Sequence, residues 1–424
     1  MAEPDGSLRT VEQVIEAPVS ERTAANGTAL IMLGYETSER EHDIAAEVVR
    51  LVVKRERWGL PDTREELARA AVPAAIVPKG KYSDEYLLEA MLRKYLHGMP
   101  FARMLGDFRA MGSDLEDATL SDLARRFATF FSPVYQAIRL QILMLAFVHV
   151  DETPLPTQDG LRYLWAVVGG RQAFFHVGGR GGAELRAVLG DARAQAAGDD
   201  DPGLHATLVY LMADAYAVYD RVTTERGITR LCCWTHARRN FLPHEKDPFA
   251  TEVIARIGAL YRIERQADTH ARDQRLSPAD AQAHRAVARR EQAVPLLAEL
   301  HAMLGRHRER YGPGAGLRSA IDYLLVRWEC FTVYATRGDL PIDNNQAERV
   351  IRPIVIGRKN WLFVGSEDAT AWAAINHTIF ESCRLARVEP RAYLRHVIAS
   401  LHSGSADPQE LTPERCALRF PVPR

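Results

Sequence analysis

The spacing of apolar and polar positions changes twice along the chain. From Ser83 onward Tyr86, Leu87, Ala90, Met91 and Tyr95 recur every three to four residues, the period of a buried helix face, and Ser83 suits the cap before it. His97-Gly98-Met99-Pro100 breaks that helix. A second short helix is predicted over Phe101 to Ala110, a turn at Met111-Gly112-Ser113, and a third helix over Ala118 to Phe130. The pattern then shortens to compact apolar runs. Residues 143–150 predict a first buried strand, and LRYLWAVVGG and RQAFFHVGG a hairpin joined by Gly-Gly. GAELRAVLGDARAQAA reads as a helix, ATLVYLMADAY as a strand, the next segment as a helix, and ITRLCCW as a fifth strand. Residues 249–340 return to long, polar helical spacing (VIARIGALYRIERQADTH, AVARREQAVPLLAELHAML, LRSAIDYLLVRWECF). Ahead of all this, residues 1–28 are polar and read as frayed. Residues 29–57 read as a small strand-rich unit with a turn at LGYETSE, and residues 58–80 as a linker ending in VPKGKYS.

Three strands, a helix, a strand, a helix and a strand is the order of an α/β fold of the ribonuclease-H-like type. In that fold the first strand is central and the fourth lies beside it. The predicted organisation is an N-terminal unit with linker (1–80), a helical region (81–140), a catalytic α/β domain (141–382) and a C-terminal helical tail (383–424). Residues 249–340 read as a helical insertion within the α/β domain, because the chain beyond them still has to return to the sheet. The helix, glycine turn and helix over 83–130 fit helix-turn-helix geometry and a plain three-helix packing unit equally well.

Two aspartates sit where strands are expected to end, Asp151 in HVDETPLP and Asp214 in YLMADAYAVYD. Glu348, in PIDNNQAERVIRP, opens an arginine-rich helix. Each alone has an ordinary explanation, a turn former or a solvated helix face. Together, two strand-end aspartates and a distant helical glutamate form a hard oxygen ligand set for Mg²⁺ or Mn²⁺. Two such ions can activate a nucleophile and stabilise the leaving oxygen of a phosphodiester. Cys233-Trp234-Thr235-His236 is a CxxH, but two ligands do not complete a zinc site, and a buried cysteine beside a polar histidine explains the pair as well. His236, Arg238 and Arg239 also fit contact with DNA phosphate. GRKNWLFVGS reads as a loop with a glycine turn, in which Arg358, Lys359 and Asn360 suit the DNA backbone and Trp361 suits a base or the core.

Composition narrows the class without naming it. The chain has 424 residues, 47% hydrophobic and 26% charged, an ordinary globular balance with no apolar run long enough for a membrane span. The polar N-terminus does not read as a secretory signal. Five cysteines without a CxxC pair fit a reducing cytoplasm, with no disulfide framework. A formal net charge of −1 does not advertise a nucleic-acid binder, yet all but six of the 54 basic residues are arginine. Several cluster beside the carboxylates: Arg238, Arg239, Arg349, Arg352 and Arg358 with Lys359. A neutral average hides such a basic face.

HVDETPLP, ADAYAVYD, CCWTHARRNF, DNNQAERVIRPIVIGRKNWLFVGS and CRLARVEPRAYLRHVI, in that order, resemble the insertion-sequence-66 family of bacterial DDE transposases. The likeness spans roughly residues 29–402. It implies a ribonuclease-H-like catalytic domain with Asp151, Asp214 and Glu348 as the acidic triad holding two Mg²⁺ or Mn²⁺ ions. It also implies Cys233 and His236 as the family's CxxH, and Arg349, Arg352, Arg358, Lys359 and Asn360 as its basic helix and loop. The expected partners are double-stranded DNA at element ends and target, a second copy of the chain on DNA, and accessory proteins of the same element. The expected location is the cytoplasm, at the nucleoid. One departure stands out. Cysteine pairs that flank a stretch like LGYETSEREHDI in the family are absent here, where the flanks read ERTAANGTAL and VVKRERWGLP. A non-catalytic DNA-binding regulator and a related metal-dependent nuclease remain the alternative functions.

Overall fold

The computed structural model describes residues 9–44, 47–190, 208–361 and 365–422, with backbone only at residues 9, 41–44, 47 and 361. It divides into two compact units, Met1–Ala137 with Ile356–Arg424, and Ile138–Val355. The sequence-based boundaries cut differently, assigning residues 356–382 to the α/β domain.

The first unit begins with a sheet. Strand β1 (Arg9–Ile15) runs parallel to β3 (Glu47–Gly59), β2 (Ile31–Ile44) runs antiparallel to β3, and β4 (Glu66–Arg69) pairs with the end of β3. Three expectations are corrected here. Residues 9–15 are a strand rather than frayed, because their ladder partner lies some 40 residues away, beyond the reach of local pattern. LGYETSE is interior to β2: the register shifts between Met32 and Gly34, and Gly34 at φ 127° takes up a bulge that only glycine adopts easily. The linker contains β4 because its residues complete the ladder at Trp58 and Gly59.

The helical part of this unit follows the periodic pattern closely. Ser83 accepts a hydrogen bond from the Tyr86 N–H and caps α1 (Asp84–Met91). The chain breaks at Gly98, and α2 spans Phe101–Ala110. The third helix, α3 (Asp117–Leu143), runs well past Phe130, since Val134, Ala137, Ile138 and Ile142 keep the buried stripe going.

In the second unit β5 (Phe147–Thr157), β6 (Gly160–Gly169) and β7 (Gln172–Gly178) form an antiparallel meander. After α4 (Gly182–Leu189), β8 (Tyr210–Ala213) pairs parallel with β5. After α5 (Ala217–Arg226), β9 (Thr229–Cys232) pairs parallel with β8. The sheet order is β7-β6-β5-β8-β9, with the first strand of the unit in the centre. This mixed α/β sheet with added helices is consistent with a ribonuclease-H-like core. The part of the predicted helix beyond Gly190 lies outside the described residues.

Beyond β9 come α6 (Trp234–Phe241), α7 (Pro248–Asp273), α8 (Pro278–Ala288), α9 (Val294–Arg308), α10 (Gly316–Leu325) and α11 (Trp328–Thr332). They share one buried cluster with β8 and β9, running from Met212 and Leu231 through Trp234, Ile257 and Leu300 to Ile342. The helices are therefore continuous with the sheet's own core. Trp234 ties the segment down at both ends: its indole donates to the Phe331 carbonyl at 2.9 Å, and its backbone N–H donates to Ile342 O at 3.3 Å. The chain thus comes back to the sheet immediately before α12 (Asn345–Trp361). The remaining helices, α13 (Glu367–Ala386), α14 (Pro390–Ser403) and α15 (Pro413–Cys416), belong to the first unit.

Candidate active site

The parallel strands β5, β8 and β9 end on one edge, and their register aligns three residues there. Phe147 pairs with Tyr210 and His149 with Met212, so the same register carried two positions on sets Asp151 level with Asp214. Ala213 pairs with Cys232, which sets Asp214 level with Cys233. Adjacent strands lie about 4.8 Å apart, so Asp151, Asp214 and Cys233 form a row across the ends of the parallel strands. Asp151 itself is not at a strand end: β5 continues to Thr157 because its antiparallel pairing with β6 runs on to Gly160. The parallel pairing with β8 is what stops at the site. Asp214 follows directly on β8, and one carboxylate oxygen accepts the Tyr216 N–H at 2.9 Å, turning the chain into α5.

Glu348 lies in the first turn of α12. What brings that helix to the row is Asn344, which is fully buried. Its backbone N–H donates to Cys233 Sγ at 3.2 Å, and its carbonyl accepts the Glu348 N–H at 3.2 Å. Its side-chain Nδ2 donates to Val150 O at 2.8 Å, and its Oδ1 lies 3.0 Å from His149 Nδ1. An amide oxygen only accepts, so His149 must carry its proton on Nδ1. Burial holds the His149 pKa down at about 4, which keeps the ring neutral. One side chain therefore joins the strand that carries Asp151 to the helix that carries Glu348. Sequence reasoning missed Asn344. The Asp-Asn-Asn run before a helix was a capping signal, but nothing local announced its bonds to β5.

The electrostatics show which acids meet. Burial, followed by the charges of Glu152, Asp214 and, more weakly, Glu348, pushes Asp151 up to about 8 from the ordinary carboxylate value, against a hydrogen bond from the Glu152 N–H. Asp151 thus lies within electrostatic reach of both Asp214 and Glu348. Glu152 is a fourth acid, which sequence reasoning also passed over. As the next residue along a strand it faces the opposite side of the sheet, and there it has partners. Tyr219 Oη donates to it at 2.6 Å and Arg180 Nε at 3.1 Å. Asp151 accepts the Glu152 N–H at 3.0 Å and Asp214 the Tyr216 N–H at 2.9 Å, backbone donors that bring no full counter-charge. Uncompensated negative charge around a half-buried Asp151 is the environment a divalent cation fits.

A second ligand set adjoins them. Donor atoms of Cys233, His236 and Glu348 all lie within 4.8 Å of one another, a geometry that can hold a metal ion. His236 Nε2 is 3.6 Å from Glu348 Oε1, and Arg239 Nη2 is 3.8 Å from Glu348 Oε2. The compact ligand cluster is therefore Glu348 with the CxxH pair, rather than the three carboxylates alone. Burial pushes the Cys233 thiol up to about 11, opposed by the Asn344 N–H.

The basic residues are spread along two helices. Arg238 and Arg239 are exposed on α6, Arg349 and Arg352 on α12. Gly357 to Trp361 continue α12, so the expected loop is helical here. Arg358 is half-buried, and Lys359 and Asn360 are exposed. The Trp361 side chain and residues 362–364 lie outside the described residues. Among the described residues no helix is long and apolar enough to cross a membrane.

Three proteins of Sinorhizobium fredii (strain NBRC 101917 / NGR234) are similar over nearly the whole length. Uncharacterized protein y4hP is 26% identical, over 92% of this chain and 72% of its own. Uncharacterized protein y4jD is 26% identical, over 94% of this chain and 78% of its own, and uncharacterized protein y4qI 25%, over 94% and 73%. Residues 79–371, more than half of the chain, match the transposase IS66 family, and they contain the whole carboxylate row, the helical insertion and α12. The chain therefore belongs to the IS66 family of transposases.

Proposed function

We propose that this protein is a DNA transposase that cleaves phosphodiester bonds at the ends of its own element and joins the freed 3′-hydroxyl to target DNA. The observation that carries the reading is the parallel register that sets Asp151 level with Asp214, with Asn344 holding the start of the Glu348 helix against β5. Family membership supports a nuclease or polynucleotidyl-transferase activity and an interaction with DNA.

In this reading Asp151 and Asp214 would hold one divalent ion between them and Glu348 would complete a second site. Mg²⁺ or Mn²⁺ bound there supplies an activated oxygen nucleophile and charge neutralisation at the phosphorus. The chain's own residues do the rest. Asn344 holds α12 against β5, so that Glu348 and Asp151 keep a fixed relation. His236 and Arg239 sit beside Glu348 and orient its carboxylate. Arg238, Arg239, Arg349 and Arg352 are exposed near the acids and bind the phosphate backbone. Arg358, Lys359, Asn360 and Trp361 extend that contact along α12. Two copies of the chain act together on paired ends.

The test is strand cleavage and strand transfer on an oligonucleotide bearing the element end. The wild-type chain with Mg²⁺ should give nicked and joined products. Asp151→Asn and Asp214→Asn should bind the same DNA and give neither. Nicking without joined products would leave a nuclease. Binding without nicking under any divalent ion would leave a regulator.

A further inference from the structure

The CxxH pair reads as incomplete in sequence because no third ligand lies near it along the chain. The fold supplies one from more than a hundred residues away, since Glu348 closes on Cys233 and His236. Two atoms in this cluster, His236 Nδ1 and Glu348 Oε1, are buried and make no hydrogen bond, Oε1 having His236 Nε2 beside it at 3.6 Å. Buried polar atoms normally have partners, and an unpartnered pair in one place calls for an explanation such as an ion. The neighbouring sulfur is held in place: Cys233 lies at the start of α6 with its Sγ against the Asn344 N–H.

We propose that Cys233, His236 and Glu348 form a binding site for a thiophilic divalent ion of the Zn²⁺ class, separate from the hard-ion site at Asp151 and Asp214. One sulfur, one imidazole nitrogen and one carboxylate oxygen are the ligand types of zinc, and three protein ligands leave a fourth position open. Thiolate is a poor ligand for Mg²⁺, so this set selects a different ion from the neighbouring acids. Binding displaces the Cys233 proton to solvent, with no change of oxidation state. Glu348 is shared. If the transposase reading holds, an ion at the sulfur site withdraws Glu348 from the hard site, and Zn²⁺ inhibits a Mg²⁺-supported reaction.

The test uses Co²⁺ as a coloured stand-in for Zn²⁺, titrated into the purified full chain under reducing conditions. Wild type should show a thiolate-to-cobalt charge-transfer band together with strong four-coordinate d–d bands, and added Zn²⁺ should bleach both. Cys233→Ser keeps a polar acceptor at the start of α6 and should lose the charge-transfer band while retaining the wild-type circular dichroism. Glu348→Gln should weaken Co²⁺ binding by more than the roughly 10–100-fold that loss of an outer-shell partner produces. Asp151→Asn and Asp214→Asn should leave the spectrum intact. Absence of the band in wild type, its survival in Cys233→Ser, or unchanged affinity in Glu348→Gln would each overturn the site. The readout needs no DNA, so it stands or falls apart from strand cleavage: a Co²⁺ spectrum without cleavage rejects the transposase reading alone, and cleavage without the spectrum rejects this site alone.

Discussion

Two carboxylate environments in this molecule shift their acids in opposite directions. In the N-terminal sheet Glu56 is surrounded by donors. Its Oε2 accepts the Ala17 N–H at 2.9 Å and the Trp58 indole at 3.0 Å, with Arg22 Nη2 at 3.4 Å. The Ala17 bond above all, with help from Trp58 and Arg22, holds Glu56 below the usual carboxylate range despite desolvation. At the edge of the parallel strands Asp151 has one neighbouring N–H, and burial first, then the carboxylates around it, push it up to about 8. Burial is the largest influence on Asp151 and a secondary one on Glu56. What also differs is whether the fold supplies the counter-charge. Glu56 is complete without a ligand and stitches strand β3 to the chain before β2. Asp151 is left for something outside the chain to complete.

The contrast predicts effects of opposite sign. The largest concerns chemistry: Asp151→Asn, Asp214→Asn and Glu348→Gln should each reduce strand cleavage at least about a hundredfold, the scale for losing one group that stabilises transition-state charge. Gel-shift affinity for the same DNA should be retained. Cleavage surviving in any one removes that residue from the site.

Next in size is Asn344→Ala, which strands the His149 N–H and the Val150 carbonyl in the core. Urea denaturation should show a loss of about 2–4 kcal/mol, the cost of one or two buried groups left unsatisfied. Wild-type stability would mean that water or another side chain replaces the amide.

The pH response follows. Asp151 is raised in the folded chain, so its contribution to stability is present below about pH 4 and is lost as pH climbs through about 8. Glu56 is depressed, so its contribution is present above the ordinary glutamate range and is lost on acidification. In metal-free buffer at pH 8, Asp151→Asn should therefore raise Tm while Glu56→Gln lowers it. Mg²⁺ should raise the wild-type Tm at pH 8 and lose that effect toward pH 6, by about tenfold in affinity per pH unit below 8. Equal shifts for the two variants would erase the distinction between them.

Smallest is the basic helix. Arg352→Ala and Lys359→Ala should weaken DNA binding about equally for all sequences and lower the slope of log affinity against log salt by roughly one each. An unchanged slope would take α12 off the DNA.

The N-terminal sheet is held by Glu56 and by Arg55, which is buried, donates to the Ala70 carbonyl at 2.9 Å and pairs with Glu36 at 2.8 Å.

Local pattern determined much of this protein. The Ser83 cap, the Gly98 break, the limits of α2, the β6–β7 hairpin and the alternation of strands and helices after Phe147 were all legible, because each depends on neighbours within a few residues. So were the three acids as candidates, since charged residues bordering apolar runs stand out. The tertiary structure decided what local pattern does not encode. It made residues 9–15 a strand through a partner on β3, absorbed Gly34 as a bulge, and carried α12 through the segment that reads as a loop. It also chose the company of each acid. The row of Asp151, Asp214 and Cys233 follows from parallel register. The return of Glu348 to Cys233 and His236 follows from an insertion that shares the sheet's core and from one buried asparagine. Those are long-range pairings, and they determine whether a carboxylate is given its counter-charge by the fold or left to find it in a ligand.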